Sequence, residues 1–393
     1  EQPGVTGITA TGSAAGTTTG TSATGPTGFA ATAAGTCGDA GGTIPSSVSE
    51  ISAMEAASNA YGDEGVYCRT CVQIDHGLAG SYVLDIFRAS MGSRADYVFH
   101  GPNHDYRIDG LSLSAAAEPS EQVALNEDGP DLTHLRSGRS DEGWSIVWSW
   151  DDGYTFQAFA PGSDDEDVFV GDGWGQRDHT NTDVGATLPY VIRRVEGAGR
   201  PKAFVSAFAG NWEAQTLVRS VRVLALSDDA PEGTVAVAVE TSRGADVVLS
   251  TLVPAPISVA TDLGELSANG RLAVIRCDGN APTSAIHVGG TALTLGEIEL
   301  TSPYGILSGE IVDHGSEPGA SWFDLDVEAA RVEALTGQTL FAVAEDGPHG
   351  YAMRDIHRHG SGVRVFTKQD HTGFEARPAG RFEIPVTSCW ECA

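Results

Sequence analysis

Lysine is nearly missing from this chain: Lys202 and Lys368 are the only two in 393 residues, and the remaining bases are arginines. Neither lysine nor arginine occurs before Arg69, and no histidine occurs before His76. Against 23 bases stand 53 acids, giving a formal net charge of -30. Such a surface repels phosphate backbones and anionic bilayers, which argues against nucleic-acid binding. It also suits a long polyanionic glycan poorly, unless arginines cluster locally or a cation bridges. No apolar run reaches the roughly 18 residues of a membrane-spanning helix, so no membrane span is expected. Helical periodicity is nearly absent, with one modest candidate at 327–335. Nucleophile elbows, phosphate loops, dinucleotide fingerprints and His-Glu-x-x-His segments are missing as well, so no complete catalytic site of a familiar kind is legible.

No leader peptide is visible. The chain opens at Glu1 inside a polar stretch, which reads as a processed or truncated start and points to an extracellular or cell-surface protein. Residues 1–44 are mostly Gly, Thr, Ala and Ser, with Thr-Gly recurring at 6–7, 11–12, 19–20 and 27–28. They read as a linker or as loosely attached strands, and alternatively as an arm that pairs with another copy. From about 45 onward, short strands alternate with Gly, Asp, Asn and Pro turns. In Trp144-Ser-Ile-Val-Trp-Ser-Trp150, the residues Trp144, Ile146, Trp148 and Trp150 share one face. An acidic, Pro-containing break at 227–233 separates a second set of strands. The expected fold is therefore all-β: an antiparallel β-sandwich over 45–230, then a smaller β domain over 231–393.

Six cysteines are present: Cys37, Cys68, Cys71, Cys277, Cys389 and Cys392. Cys68/Cys71 and Cys389/Cys392 form two Cys-x-x-Cys pairs, the spacing of a four-cysteine zinc site. Cys68 and Cys71 sit in a strand-like segment, however, where residues three apart point to opposite faces. Disulfides tying the C-terminal tail to this strand are the preferred reading. A structural zinc ion and free thiols remain as alternatives. The acidic run Asp164-Asp-Glu-Asp167 reads as a solvated turn or a calcium site, although it lacks a spaced Asp-x-Asp ladder.

Two segments concentrate groups that could hold a ligand. The first contains His100, His104, Asp105, Tyr106, Arg107 and Asp109 at a strand end and in the turn after it. Its histidines and carboxylates could bind a metal or move a proton. The plain alternative is ordinary strand-end hydrogen bonding. The second is Trp174-Gly-Gln-Arg-Asp-His179. An exposed Trp beside Gln176, Arg177, Asp178 and His179 is one way to hold a sugar, by ring stacking plus hydrogen bonds. The alternative is a core Trp beside a local ion pair. His349, His357 and His359 lie on a late hairpin, where His357 and His359 share a face.

The run Tyr67…Arg69-Thr70…Tyr82-Val-Leu-Asp-Ile-Phe-Arg88…Asp96-Tyr-Val-Phe-His-Gly101 resembles the heparinase II/III-like polysaccharide lyases. Trp174-Gly-Gln-Arg-Asp178 and Leu188-Pro-Tyr-Val-Ile-Arg193 look like the next shared stretches, and Phe204-Val-Ser206 and Ser220-Val-Arg-Val-Leu224 fit as well. The likeness runs from about 48 to 226 and weakly beyond. It implies a β super-sandwich followed by a smaller β domain. It also implies a preceding helical toroid, which in that family carries the acid/base groups for β-elimination of uronate glycans. Neither that toroid nor the His-x-His segment that the family carries early in its sandwich lies upstream of 48 in this sequence. Two functions follow as expectations. The first is a non-catalytic structural or glycan-binding protein whose partner is an acidic polysaccharide or another copy of itself. The second is the β half of a lyase, working with a separate helical catalytic subunit.

Overall fold

The computed structural model describes residues 28–33, 51–58, 66–90, 93–115, 132–197, 201–212, 216–344, 347–368 and 380–392. These residues build a nearly all-β, antiparallel architecture, as the turn-punctuated alternation predicts. The hairpin joining Trp144–Ser149 to Tyr154–Ala160 shows the local logic. Asp152 accepts the Tyr154 amide at 3.0 Å, and Gly153 takes the left-handed φ of +86° that closes the turn.

Four sheets stack face to face. The outermost has five strands: Arg94–His100, Thr187–Glu196, Ser163–Trp174, Thr133–Ser140 and Ser114–Ala115. Next comes an eight-stranded sheet, in the order Gly28–Ala33, Ile51–Ser58, Tyr67–Asp75, Ser81–Ala89, Lys202–Trp212, Tyr154–Ala160, Trp144–Ser149, Tyr106–Asp109. Phe87, Tyr97, Phe99, Trp148, Val191 and Phe204 fill the space between these two. The third sheet has six strands: Val218–Val223, Val235–Thr241, Ala245–Ser250, Leu272–Asp278, Ala281–Val288 and Thr387–Glu391. Val72, Leu84, Ile86, Val237, Val248 and Val274 join it to the eight-stranded sheet. The fourth has Ile257–Thr261, Gly264–Ala268, Ala292–Leu295 and Ile298–Thr301, packed on the far face of the third.

The eight-stranded sheet is thus covered on both faces, and strand Ser81–Ala89 shows what that demands. Tyr82, Leu84, Ile86 and Arg88 point toward the six-stranded sheet, whereas Asp85 and Phe87 point toward the five-stranded one. Asp85 accepts two bonds from Arg69 at 2.8 and 2.6 Å and a third from the Tyr97 hydroxyl at 2.6 Å. Arg88 is fully buried and donates to the carbonyls of Gly233 and Ser250 and to the hydroxyls of Thr70 and Ser250. Burial lowers its proton affinity below the usual guanidinium value. Tyr82 donates to Asp246, which also binds His76 at 2.7 Å. In the facing layer Arg193 grips Glu166, and Arg194 grips Asp96.

After Tyr304 the chain leaves the stack and closes a six-stranded barrel: Ile306–Glu317, Ala320–Leu325, Gly362–Thr367, Gly347–His359, Thr339–Ala344 and Arg381–Pro385. Leu307, Phe323, Leu340, Met353, Val365 and Phe382 form its core. The last strand, Thr387–Glu391, returns to pair with Ala281–Val288 in the six-stranded sheet. The break at 227–233 joins Val218–Val223 to Val235–Thr241, which are neighbours in one sheet. The expected division at 230 therefore falls inside the stack, and the change of architecture comes at 306. The helical candidate is one turn, Ala329–Val332, followed by the 3-10 turn Glu333–Leu335. Of the N-terminal segment, Gly28–Ala33 pairs antiparallel with Ile51–Ser58 of the same chain; the rest of that arm lies outside the described residues.

The cysteine expectation needs correction. Among the described residues Cys68, Cys71, Cys277, Cys389 and Cys392 form no disulfide, and Cys37 lies outside the described residues. The tail strand bearing Cys389 sits beside Ala281–Val288, not beside Tyr67–Asp75, so the two Cys-x-x-Cys pairs do not meet. Cys71 lies 3.8 Å from Asp85, on the face opposite Cys68, as strand geometry requires. Burial pushes the thiols of Cys68, Cys71 and Cys277 up to about 12. Among the described residues no three His, Cys, Asp or Glu side chains gather as a metal-holding group. Each of Asp165, Glu166 and Asp167 instead pairs with a base: Lys202, Arg193 and Arg139. They lie within strand Ser163–Trp174 rather than in a solvated turn. His359 sits 3.6 Å from Asp324, and His357 packs edge-on against Phe366.

Two outcomes are expected. Iodoacetamide at pH 8 labels the exposed Cys392 in the native protein, while Cys68, Cys71 and Cys277 are modified only after denaturation; peptide mass mapping checks this. Asp85→Ala leaves Arg69 and Tyr97 without their acceptor and destabilises the fold by about 3–5 kcal/mol. Urea unfolding reads that loss, and an unchanged midpoint contradicts the role given to Asp85.

Candidate functional site

The two ligand-holding segments are distant in sequence and adjacent in space. Strand Thr187–Glu196 lies between Arg94–His100 and Ser163–Trp174, with Tyr190 opposite His100 and Thr187 opposite Trp174. It carries the ends of both segments to one edge of the five-stranded sheet. Gly101 turns the chain there, where only glycine fits: a Cβ at 101 would stand 1.9 Å from the Trp148 indole nitrogen.

His100 is half-buried, with its ring against Tyr190 at 5.4 Å. Its Nδ1 faces the Gly101 carbonyl at 3.2 Å, and the Arg177 guanidinium lies 3.2 Å from Nε2. Burial lowers the pKa of His100; the Gly101 bond opposes this, and the Arg177 charge lowers it further. A neutral ring with Nδ1–H donating and Nε2 accepting satisfies both contacts. The same guanidinium lies 5.3 Å from the centre of the Trp174 ring, which is 58% exposed. Tyr190 fixes the Trp174 backbone through its hydroxyl.

A second group of residues adjoins this one. His104 sits 2.8 Å from the Thr187 carbonyl through Nε2 and 3.5 Å from Asp172 through Nδ1. His134 approaches the other Asp172 oxygen at 2.8 Å. Arg136 donates to the Tyr106 hydroxyl at 2.5 Å, and its guanidinium lies 5.9 Å from that ring's centre. His104, Tyr106, His134, Arg136, Gly171 and Asp172 line an open cleft of about 360 Å3. It lies where the edge strand Tyr106–Asp109 of the eight-stranded sheet faces Thr133–Ser140 and Ser163–Trp174.

A β-bulge makes this arrangement. The register of Thr133–Ser140 against Ser163–Trp174 slips between Val170 and Asp172, and His134 takes a left-handed φ of +53° there. An extra residue on one strand redirects the side chains beside it, a device common next to functional sites. His134, Arg136 and Asp172 are not marked by the sequence, whereas Tyr190 lies in the Leu188–Arg193 stretch that the sequence does mark. The only local signal was the His-x-Arg alternation at 134 and 136, which any half-exposed strand displays.

Other expected residues serve the loop instead. Asp178 accepts from the Thr180 amide at 2.9 Å and hydroxyl at 2.6 Å and from the Thr182 amide and hydroxyl, which holds its carboxyl well below the usual range. Asp183 accepts the amides of Arg177 and Asp178, which lowers its carboxyl pKa as well. Gln176 bonds Asn181. His179 is exposed, and Arg107 forms a surface pair with Asp109. The Asp178, Asp183 and Gln176 contacts stiffen the 174–186 loop that presents Trp174 and Arg177.

Searches against models of known protein families and against curated proteins find no match for this chain.

Both loop carboxyls titrate below their unfolded values, so each stabilises the loop above the ordinary Asp range near ~3.9 and loses that contribution only as pH falls through its lowered value. Backbone amides 177–183 should therefore stay protected from hydrogen exchange through pH 4. In Asp178→Ala the same amides should exchange quickly at neutral pH.

Proposed function

We propose that this chain is an extracellular, non-catalytic glycan-binding protein on the scaffold of the heparinase II/III-like lyases, and that its cleft holds an anionic sugar unit. The observation that carries this reading is the company kept by Arg136 and Arg177. In a chain of net charge -30, these two guanidiniums pair, among the described residues, with a phenol, an indole ring and a neutral imidazole rather than with carboxylates. They stand beside three imidazoles and an exposed tryptophan. This is the local arginine cluster without which an acidic surface would reject a uronate or sulfated sugar. Guanidinium groups bind carboxylate and sulfate with directed, charge-assisted hydrogen bonds, and an exposed indole adds a stacking face for the ring.

The groups in the cleft are committed to one another, which favours binding over chemistry. Asp172 is faced by two imidazoles, and the Tyr106 hydroxyl already accepts from Arg136. The four-sheet stack followed by a barrel supports the proposed kinship, since the family resemblance implies a super-sandwich with a smaller β domain. Retention in native gels cast with alginate, polygalacturonate, chondroitin sulfate or heparin tests the reading. At least one should retard the chain, in a salt-sensitive way. Arg136→Ala and Arg177→Ala should each weaken that binding by about 2 kcal/mol. Wild-type-like retention in both variants rejects the cleft as the binding site.

A further inference from the structure

A second aromatic surface lies at the same end of the stack and is independent of the cleft. Trp150, Tyr154 and Trp212 form a ladder, with ring centres 5.1 Å apart from Trp150 to Tyr154 and 4.9 Å from Tyr154 to Trp212. Successive planes are tilted by 56° and 58°. Tyr154 and Trp212 are direct cross-strand partners, and Trp150 stands across the 151–153 turn. Behind them Trp148, Phe156 and Phe208 continue the same face into the core. The inner rings are covered by the facing sheet, whereas the ladder steps out past it, ending at Trp212, which is 55% exposed. The hydroxyl end of Tyr154 reaches over Gly210, where a Cβ would stand 2.2 Å from its oxygen. The glycine makes room for that ring.

We propose that this ladder is a stacking platform for the neutral pyranose rings of a single polysaccharide chain. Aromatic faces carry partial negative charge and attract the weakly positive C–H face of a sugar. The exposed Asp151 and Asp152 rim the ladder at its turn and accept hydroxyl hydrogen bonds while repelling anionic sugars. No guanidinium stacks on these three rings among the described residues, in contrast to Trp174. Three partly covered rings offer far less than the roughly 1,000 Å2 that a stable protein interface buries, which disfavours a protein partner. The turn of plane from ring to ring suits one twisting chain rather than a flat crystalline surface.

Native gels cast with mixed-linkage β-glucan, galactomannan or xyloglucan test this. The wild-type chain should be retarded by at least one of them, equally at low and high salt, with a shift in tryptophan emission. Trp212→Ala should weaken that binding about tenfold, as losing one stacking ring does, and Trp212→Phe should restore most of it. Tyr154→Ala provides a second variant if Trp212→Ala melts early. No retardation in any of the three gels overturns the platform. So does wild-type retardation in a folded Trp212→Ala or Tyr154→Ala. Salt sensitivity separates the two sites: retention by acidic glycans alone leaves the cleft reading and removes the platform, and retention by neutral glycans alone does the reverse.

Discussion

Everything in this molecule depends on an eight-stranded sheet that has no wet face over most of its area. Burying both faces supplies the apolar contact that holds the stack together. It also leaves nowhere for a polar side chain to meet water. The polar groups on the central strands are therefore answered across the layers. Asp85 is answered by Tyr97 from the facing sheet, with Arg69 of the neighbouring strand beside it, Arg88 by Ser250 and Gly233 on the other side, and Tyr82 by Asp246. A buried ion pair contributes little net stability, yet removing one partner is costly. These contacts fix how the layers align more than how tightly they adhere.

The edges of that sheet are where burial ends and recognition becomes possible. Tyr106–Asp109 is an edge strand, and its Tyr106 lines the cleft with groups from the facing sheet. The far ends of Tyr154–Ala160 and Lys202–Trp212 carry the core's aromatic face out to solvent. One physical origin thus gives two surfaces of different chemistry. The first is rimmed by guanidinium and imidazole groups, the second by carboxylates.

The charge imbalance takes a different meaning in three dimensions. Many of the arginines are spent inside or in tight pairs: Arg193 with Glu166, Arg194 with Asp96, Arg139 with Asp167, Arg364 with Asp324. Arg136 and Arg177 are set apart from that pattern: Arg136 lines the cleft, and Arg177 stands in the adjoining group with His100 and Trp174. Net charge describes the surface average; pairing decides where a cation is available.

The sequence by itself determined the all-β class and many of the strands. Period-two alternation and turn residues are local signals, and a strand such as Trp144–Ser149 must bury one parity whatever it packs against. It also marked His100, His104, Trp174 and Arg177 through residue type alone. Only the tertiary structure decided that the break at 227–233 is a turn within one sheet, because pairing partners are set by long-range register. The same holds for the cysteines: their spacing permitted a bridge, but the tail strand pairs elsewhere and the thiols stay apart. His134, Arg136 and Asp172 enter the cleft because one bulge shifts a register, and a bulge leaves no distinctive mark in a sequence this rich in turn residues.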